Sequence, residues 1–211
     1  MDYVKLQEDL AEKVICDNQL DTVEYLAGVD VAYQQEGDLV VAAITILDAL
    51  SLELVEVSTH YEKVSFPYIP GLFSFRELPP VLKAYSKLKI KPDIIICDGQ
   101  GYAHPRRFGL ACHMGVELDV PTIGCAKTRF VGEYNDFDLD RGNSSSLVYE
   151  GETVGKVLCT QDNTKPVFVS IGHKIDLVTA CDWVLKATPK YRLPETTRTA
   201  DHTVNMLRKA L

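Results

Sequence analysis

Four bulky apolar residues stand in succession at Ile94-Ile95-Ile96-Cys97, and an acid, Asp98, closes the run. A short stretch of this kind reads as a buried strand. Gly99-Gln100-Gly101 follows at once, a turn that two glycines keep open and low in side-chain bulk. In α/β sheets, ligands gather at the carboxyl ends of strands. An acid at that tip, with little steric cover, can take a cation and something else beside it. Such an acid needs partners from elsewhere in the chain.

The rest of the chain supplies a sheet and helices to surround that strand. Leu6, Leu10 and Val14 give residues 4–18 helical spacing. Strand-like runs follow at 25–33, 39–48 and 51–61, the first two separated by a turn at Glu36-Gly37-Asp38, and together they suggest an antiparallel meander. Residues 66–80 are rich in Pro, Gly and aromatics. They are expected to form a long loop that runs into a helix near Pro79-Pro80, since proline suits a first turn. A helix at 108–118 and a short strand at 121–124 complete a strand–helix alternation that suggests parallel crossovers. Further on come a polar surface excursion at 135–146 and a hairpin around Glu150-Gly151-Glu152. A strand at 167–171, a helix at 175–185 and a closing helix at 194–211 with Val204, Leu207 and Leu211 inward end the chain. A meander followed by alternating helices and strands is a mixed sheet flanked by helices, the α/β order of a ribonuclease-H-like fold. With no repeat and no linker, 1–211 reads as one domain.

Composition narrows the class. Hydrophobic residues make up 46% and charged residues 25%, ordinary for a globular protein. No apolar stretch approaches a membrane span, and the first residues lack the pattern of an export signal, so a cytoplasmic protein with no membrane partner is expected. The six cysteines are scattered, without C-x-x-C pairs, as free buried thiols would be. The net charge of −8 argues against a general nucleic-acid binder. Yet between Arg76 and Phe130 nine basic residues face five acids, leaving a basic segment in an acidic chain. Such a segment is compatible with a local phosphate track, and charge alone supports a solvated face equally.

Asp30 lies between Val29 and Val31 in the first strand, where a lone buried carboxylate would be costly. A single such residue is more often a satisfied structural aspartate. Glu77, beside Arg76 at the end of the long loop, makes a third acid. If the first and fourth strands are neighbours, Asp30 and Asp98 converge and repel, and a divalent cation relieves the repulsion. Oxygen donors suit Mg²⁺ or Mn²⁺, and the chemistry expected is metal-assisted phosphodiester hydrolysis.

Several segments together resemble the endonuclease V family. They are Ala27-Gly-Val-Asp-Val-Ala-Tyr33, Pro67-Tyr-Ile-Pro-Gly-Leu-Phe-Ser-Phe-Arg-Glu77, Asp98-Gly-Gln-Gly-Tyr-Ala-His-Pro-Arg-Arg-Phe-Gly109, Val120-Pro-Thr-Ile-Gly-Cys-Ala-Lys-Thr-Arg129, Ser170-Ile-Gly-His-Lys-Ile-Asp176 and Tyr191-Arg-Leu-Pro-Glu-Thr-Thr-Arg198. They span nearly the whole chain in the family's order. The resemblance implies that Asp30, Glu77 and Asp98 bind the catalytic Mg²⁺, with Mn²⁺ as substitute, and that Lys127 and His104 stand close to the scissile phosphate. It implies that Tyr68 is a wedge between bases and that Gly71, Phe73, Gly99 and Gly101 line a pocket for a flipped hypoxanthine. It also implies a monomer that cuts damaged DNA, single- or double-stranded, at the second phosphodiester 3′ to deoxyinosine, leaving 3′-hydroxyl and 5′-phosphate. An inosine-specific ribonuclease and a non-cleaving lesion reader are the alternatives, and the residues leave DNA and RNA both open. His113 is expected to be structural and His202 a surface residue.

Overall fold

The computed structural model describes residues 2–34 and 38–209, so Glu36, Gly37 and Leu211 of the sequence reading lie outside the described residues. The elements in chain order are α1 (Tyr3–Ala11), β1 (Tyr25–Tyr33), β2 (Leu39–Asp48), β3 (Leu54–Lys63), α2 (Phe73–Ser86), β4 (Ile94–Cys97), α3 (Leu110–Leu118), β5 (Thr122–Ala126), β6 (Ser144–Tyr149), β7 (Glu152–Leu158), β8 (Val167–His173), α4 (Leu177–Lys186) and α5 (Glu195–Lys209). The strands form one sheet in the order β3-β2-β1-β4-β5-β8-β7-β6. This is the ribonuclease-H-like arrangement expected from the element order. β1 to β3 are the antiparallel meander, and β4 and β5 join it in parallel. β8 runs antiparallel to β5, so the parallel part stops at three strands.

The Ile94–Cys97 run has no polar alternation because helices cover both of its faces. Ile94 and Ile96 pack with Leu26, Ile123 and α4 on one side. Ile95 and Cys97 pack with Ala27, Val29, α2 and α3 on the other. The parity continues to the strand ends, so Asp30 and Asp98 point to the face that holds α4 and α5. The register pairs Val29 with Cys97, which places the two aspartates one step beyond the last paired residues of neighbouring parallel strands. Gly28 lies two residues before Asp30 on that same face. A Cβ there would sit 1.9 Å from the Thr196 carbonyl oxygen, so glycine is what lets α5 lie directly on β1.

Helix boundaries differ from the sequence reading in two places. α1 ends at Ala11, well short of Asn18. α2 begins at Phe73, with Pro79 and Pro80 inside it rather than at its start. Two prolines there remove the helix donors for the Phe75 and Arg76 carbonyls, but Leu78, Val81 and Ala84 bury a full apolar stripe that outweighs the loss. The expected hairpin is present, and Glu150 and Gly151 both take the positive φ of a two-residue turn. No helix among the described residues is long and apolar enough to cross a membrane.

Candidate active site

Asp30, Glu77 and Asp98 come to one end of the sheet from three elements. Glu77 arrives on the second turn of α2, not at the end of a loop, and is buried with the Tyr33 hydroxyl donating to it at 3.2 Å. Burial pushes the Asp30 carboxyl up to about 7, and the Asp98 charge adds to that rise. Burial pushes Glu77 up to about 8, with the Asp30 and Asp98 charges adding. The three acids thus share one field. Among the described residues no group of three or more His, Cys, Asp or Glu side chains is gathered closely enough to hold a metal ion.

The nearest compensating charge is Lys127, one residue past β5, whose ammonium pairs with Asp98. Burial lowers the Lys127 pKa, but the hydrogen bond it donates to Asp98 and the charges of Asp98, Asp30 and Asp201 raise it by more. Lys127 is therefore a fixed cation at neutral pH. An all-oxygen set of mutually repelling carboxylates is the donor chemistry that suits a hard divalent ion. The residues fit Mg²⁺ or Mn²⁺ in kind, with Asp30, Asp98 and Glu77 the groups that would hold it.

The Asp98–Lys127 pair is the partition between two cavities. One, of about 410 Å³, is also lined by Tyr68, Gly71, Phe73, Gly99, Gln100, His104 and Phe130. Tyr68 and Phe73 stand exposed at its mouth, ring centroids 6.3 Å apart and edge to face. The other, of about 250 Å³, is lined by Thr197, Arg198, Asp201 and His202 of α5. Asp201 and His202 are what the sequence reading missed or set aside. Asp201 adds to the charge at both Asp30 and Lys127. The only signal for it was its place three residues beyond the Tyr191–Arg198 motif, in a helix read for its apolar face alone.

One expected site residue sits elsewhere. Gly101 is not on the cavity wall. Its N–H donates to Ser170 Oγ at 2.9 Å, and a Cβ would lie 2.1 Å from the Ile171 carbonyl, so it is a close-packing glycine beneath β8. His104 does line the cavity, but its ring serves the surrounding loops. Nδ1 accepts from the Arg106 N–H at 3.1 Å. Burial and then the Arg106 charge hold its pKa down at about 4, against the pull of the Gly71 main chain. It is neutral at pH 7 and lies tilted against Phe130, ring centroids 5.4 Å apart.

His113 is structural, as expected. It bonds Ser74 Oγ at 3.0 Å through Nδ1, and burial holds its pKa near 4, down from 6.5. A histidine depressed in this way stabilises fully above 6.5, and that stability is lost as pH falls toward 4. Replacing it by glutamine, which does not titrate, removes the pH-dependent part. In urea titrations the stability gap between wild type and His113→Gln should therefore narrow by about 2–3 kcal/mol between pH 7.5 and 4.5, at roughly 1.4 kcal/mol per pKa unit. A gap constant over that range would mean that His113 is not held neutral.

The family model described as Endonuclease V matches residues 8–202. Endonuclease V of Nostoc punctiforme is 49% identical over 199 residues, covering 94% of this chain and 90% of that protein. Endonuclease V of Rippkaea orientalis is 53% identical over 196 residues, covering 93% and 86%. The crystal structure of Endonuclease V from Streptomyces avermitilis superposes with a TM-score of 0.94 at 48% identity, over 98% of this chain and 92% of that one. Endonuclease V of Ciona intestinalis, in complex with a 24mer DNA containing an inosine followed by a ribo-adenosine, superposes at 0.89 with 29% identity, over 99% and 97%.

Proposed function

Because this chain belongs to the endonuclease V family, we propose that it is a divalent-metal-dependent nuclease that recognises deaminated adenine and cuts the second phosphodiester 3′ to it, leaving 3′-hydroxyl and 5′-phosphate. The observation that carries this reading is the Asp98–Lys127 pair shared by two cavities. A flipped base enters the larger cavity, and the backbone between lesion and cut passes over the pair. Reading and cutting are then separate events on adjacent parts of one strand.

Each residue has a task. Tyr68, held between Pro67 and Pro70, fills the gap left by the flipped base. Gly71, Phe73 and Gly99 offer a flat base the main chain and one ring face. Lys127 places a compact ammonium against the charge that grows on the phosphate. Asp30, Asp98 and Glu77 hold Mg²⁺, or Mn²⁺ in its place, with Asp201 and His202 on the far side of the site. When bound, the cation supplies Lewis-acid charge at the scissile phosphate. His104 lines the larger cavity together with Asp98 and Lys127, with its Nδ1 held by the Arg106 N–H. The chain acts as a single-domain cytoplasmic monomer, and damaged DNA, single- or double-stranded, is its partner.

The deciding test is cleavage of matched strands carrying deoxyinosine, inosine, uracil or no lesion, each with Mg²⁺, with Mn²⁺ and with chelator. Metal-dependent cutting of the deoxyinosine strand, one nucleotide beyond the lesion, is expected. Equal cutting of all strands would sink the lesion reading, and cutting that survives chelation would sink the metal.

A further inference from the structure

One wall residue of the larger cavity, contributed by α1, has no task in the chemistry proposed above. Gln7, on α1, is 1% exposed. Its amide donates to the Gly71 carbonyl at 3.0 Å and to the Phe108 carbonyl at 2.7 Å. Its oxygen accepts from Arg106 Nε, and Arg106 Nη2 donates to the same Gly71 carbonyl at 2.8 Å. Every donor and acceptor of this buried amide is thereby used for one purpose.

Gly71 is the hinge of the loop that presents Tyr68. Leu72 N donates to Ile69 O at 3.0 Å, Pro70 occupies the second position and Gly71 has φ +78°, the marks of a type II turn. One turn of α1 before Gln7, Tyr3 packs edge-on against Phe66 and Phe75, with centroids 4.8 and 5.3 Å apart, bracketing the same loop. The loop thus has a pin at its glycine and a brace at each end, all from α1 and the 104–109 loop.

We infer that Gln7, with Arg106, is a specificity-determining positioning pair: it fixes the Gly71 carbonyl so that the wedge and the pocket lip are set before substrate arrives. This rests on the lesion-reading function proposed above. Main-chain groups discriminate bases only if they are held to a fraction of an ångström. A loop free to shift would admit undamaged bases and present Tyr68 less often, while the acids and Lys127, which touch neither residue, stay in place.

The test is a double-mutant cycle between Gln7→Leu and Tyr68→Ala, read as the ratio of kcat/KM on deoxyinosine and undamaged strands. Wild type is measured first, and if it shows no inosine preference the proposed function fails, independently of this inference. With preference present, Gln7→Leu should lower the ratio about tenfold in the wild-type background and less than about twofold in the Tyr68→Ala background, because contacts acting through a shared element do not add. A purely structural loss would change both backgrounds alike. If Gln7→Leu does not fold, Arg106→Lys carries the same cycle, since an ammonium has no planar fork to bond Gln7 and Gly71 together. An equal effect in both backgrounds, or no effect in either, overturns the pair's role.

Discussion

Asp98→Ala should stop strand cleavage while leaving lesion binding intact or tighter. The loss follows from what the carboxylate does. It is one of the three acids around the expected cation, and the partner of Lys127. Removing one preorganised electrostatic group at a reacting centre typically costs 10²–10³ in rate, and a metal-holding acid costs at least the upper end, so a drop of about 10³ or more is expected. The gain in binding follows from charge. With Asp98 gone, Lys127 has no ion pair, and a free ammonium faces the phosphate in a site that has lost one negative charge. Single-turnover cleavage with Mg²⁺ and a separate binding titration of the inosine strand measure the two effects. A variant that cuts at the wild-type rate, or that loses binding and cleavage in equal proportion, would remove Asp98 from the role given to it.

Gly28→Ala should be the most damaging single methyl in the sheet. The added Cβ meets main chain, at 1.9 Å from the Thr196 oxygen and 2.8 Å from the Thr197 nitrogen, so no side chain can rotate away. Thr45 Oγ1 also donates to that carbonyl, at 3.2 Å, and ties the helix to β2. Overpacking costs about 1–3 kcal/mol where side chains give way; against backbone on both sides, about 3 kcal/mol or more is expected, a fall of roughly 6–12 °C in Tm for a chain of this size. The same displacement lifts Asp201 and His202 away from Asp98. Cleavage measured well below the new Tm should therefore fall too, beyond what the unfolded fraction accounts for. An alanine variant with wild-type Tm would show that α5 does not lie where it is placed.

Much of this was legible from residue order. The apolar run at Ile94, the aspartate after it and the meander before it point to a buried strand beside β1, and the pairing of β1 with β4 is what the convergence of Asp30 and Asp98 required. The element boundaries were less legible, for physical reasons. Pro79-Pro80 suggest a helix start, because proline prefers the first turn. Packing of Leu78 and Val81 against the sheet overrides that local preference, so Glu77 came out on a helix. Gly101 and Gly71 look alike in sequence, yet one is a close-packing glycine and the other a turn hinge. Only tertiary neighbours separate them. Gln7 had no signal at all: on an otherwise polar helix, a glutamine is unremarkable until three partners more than sixty residues away enclose it. Asp201 was hidden for a related reason, since one acid on a polar helix face says nothing about which strand tip it overlooks.

The position of α5 has a consequence for biosynthesis. Among the described residues, β1 is made long before α5, the helix that lies over Gly28 and brings Asp201 to the partition. Until then, one face of β1 and β2, with Ala32, Val41 and Ala43, has no cover from Val204. A nascent chain is thus a nuclease without its final wall. Domains generally fold as units, so this face of the sheet closes only once α5 has been made, and a product truncated before Glu195 would lack that cover.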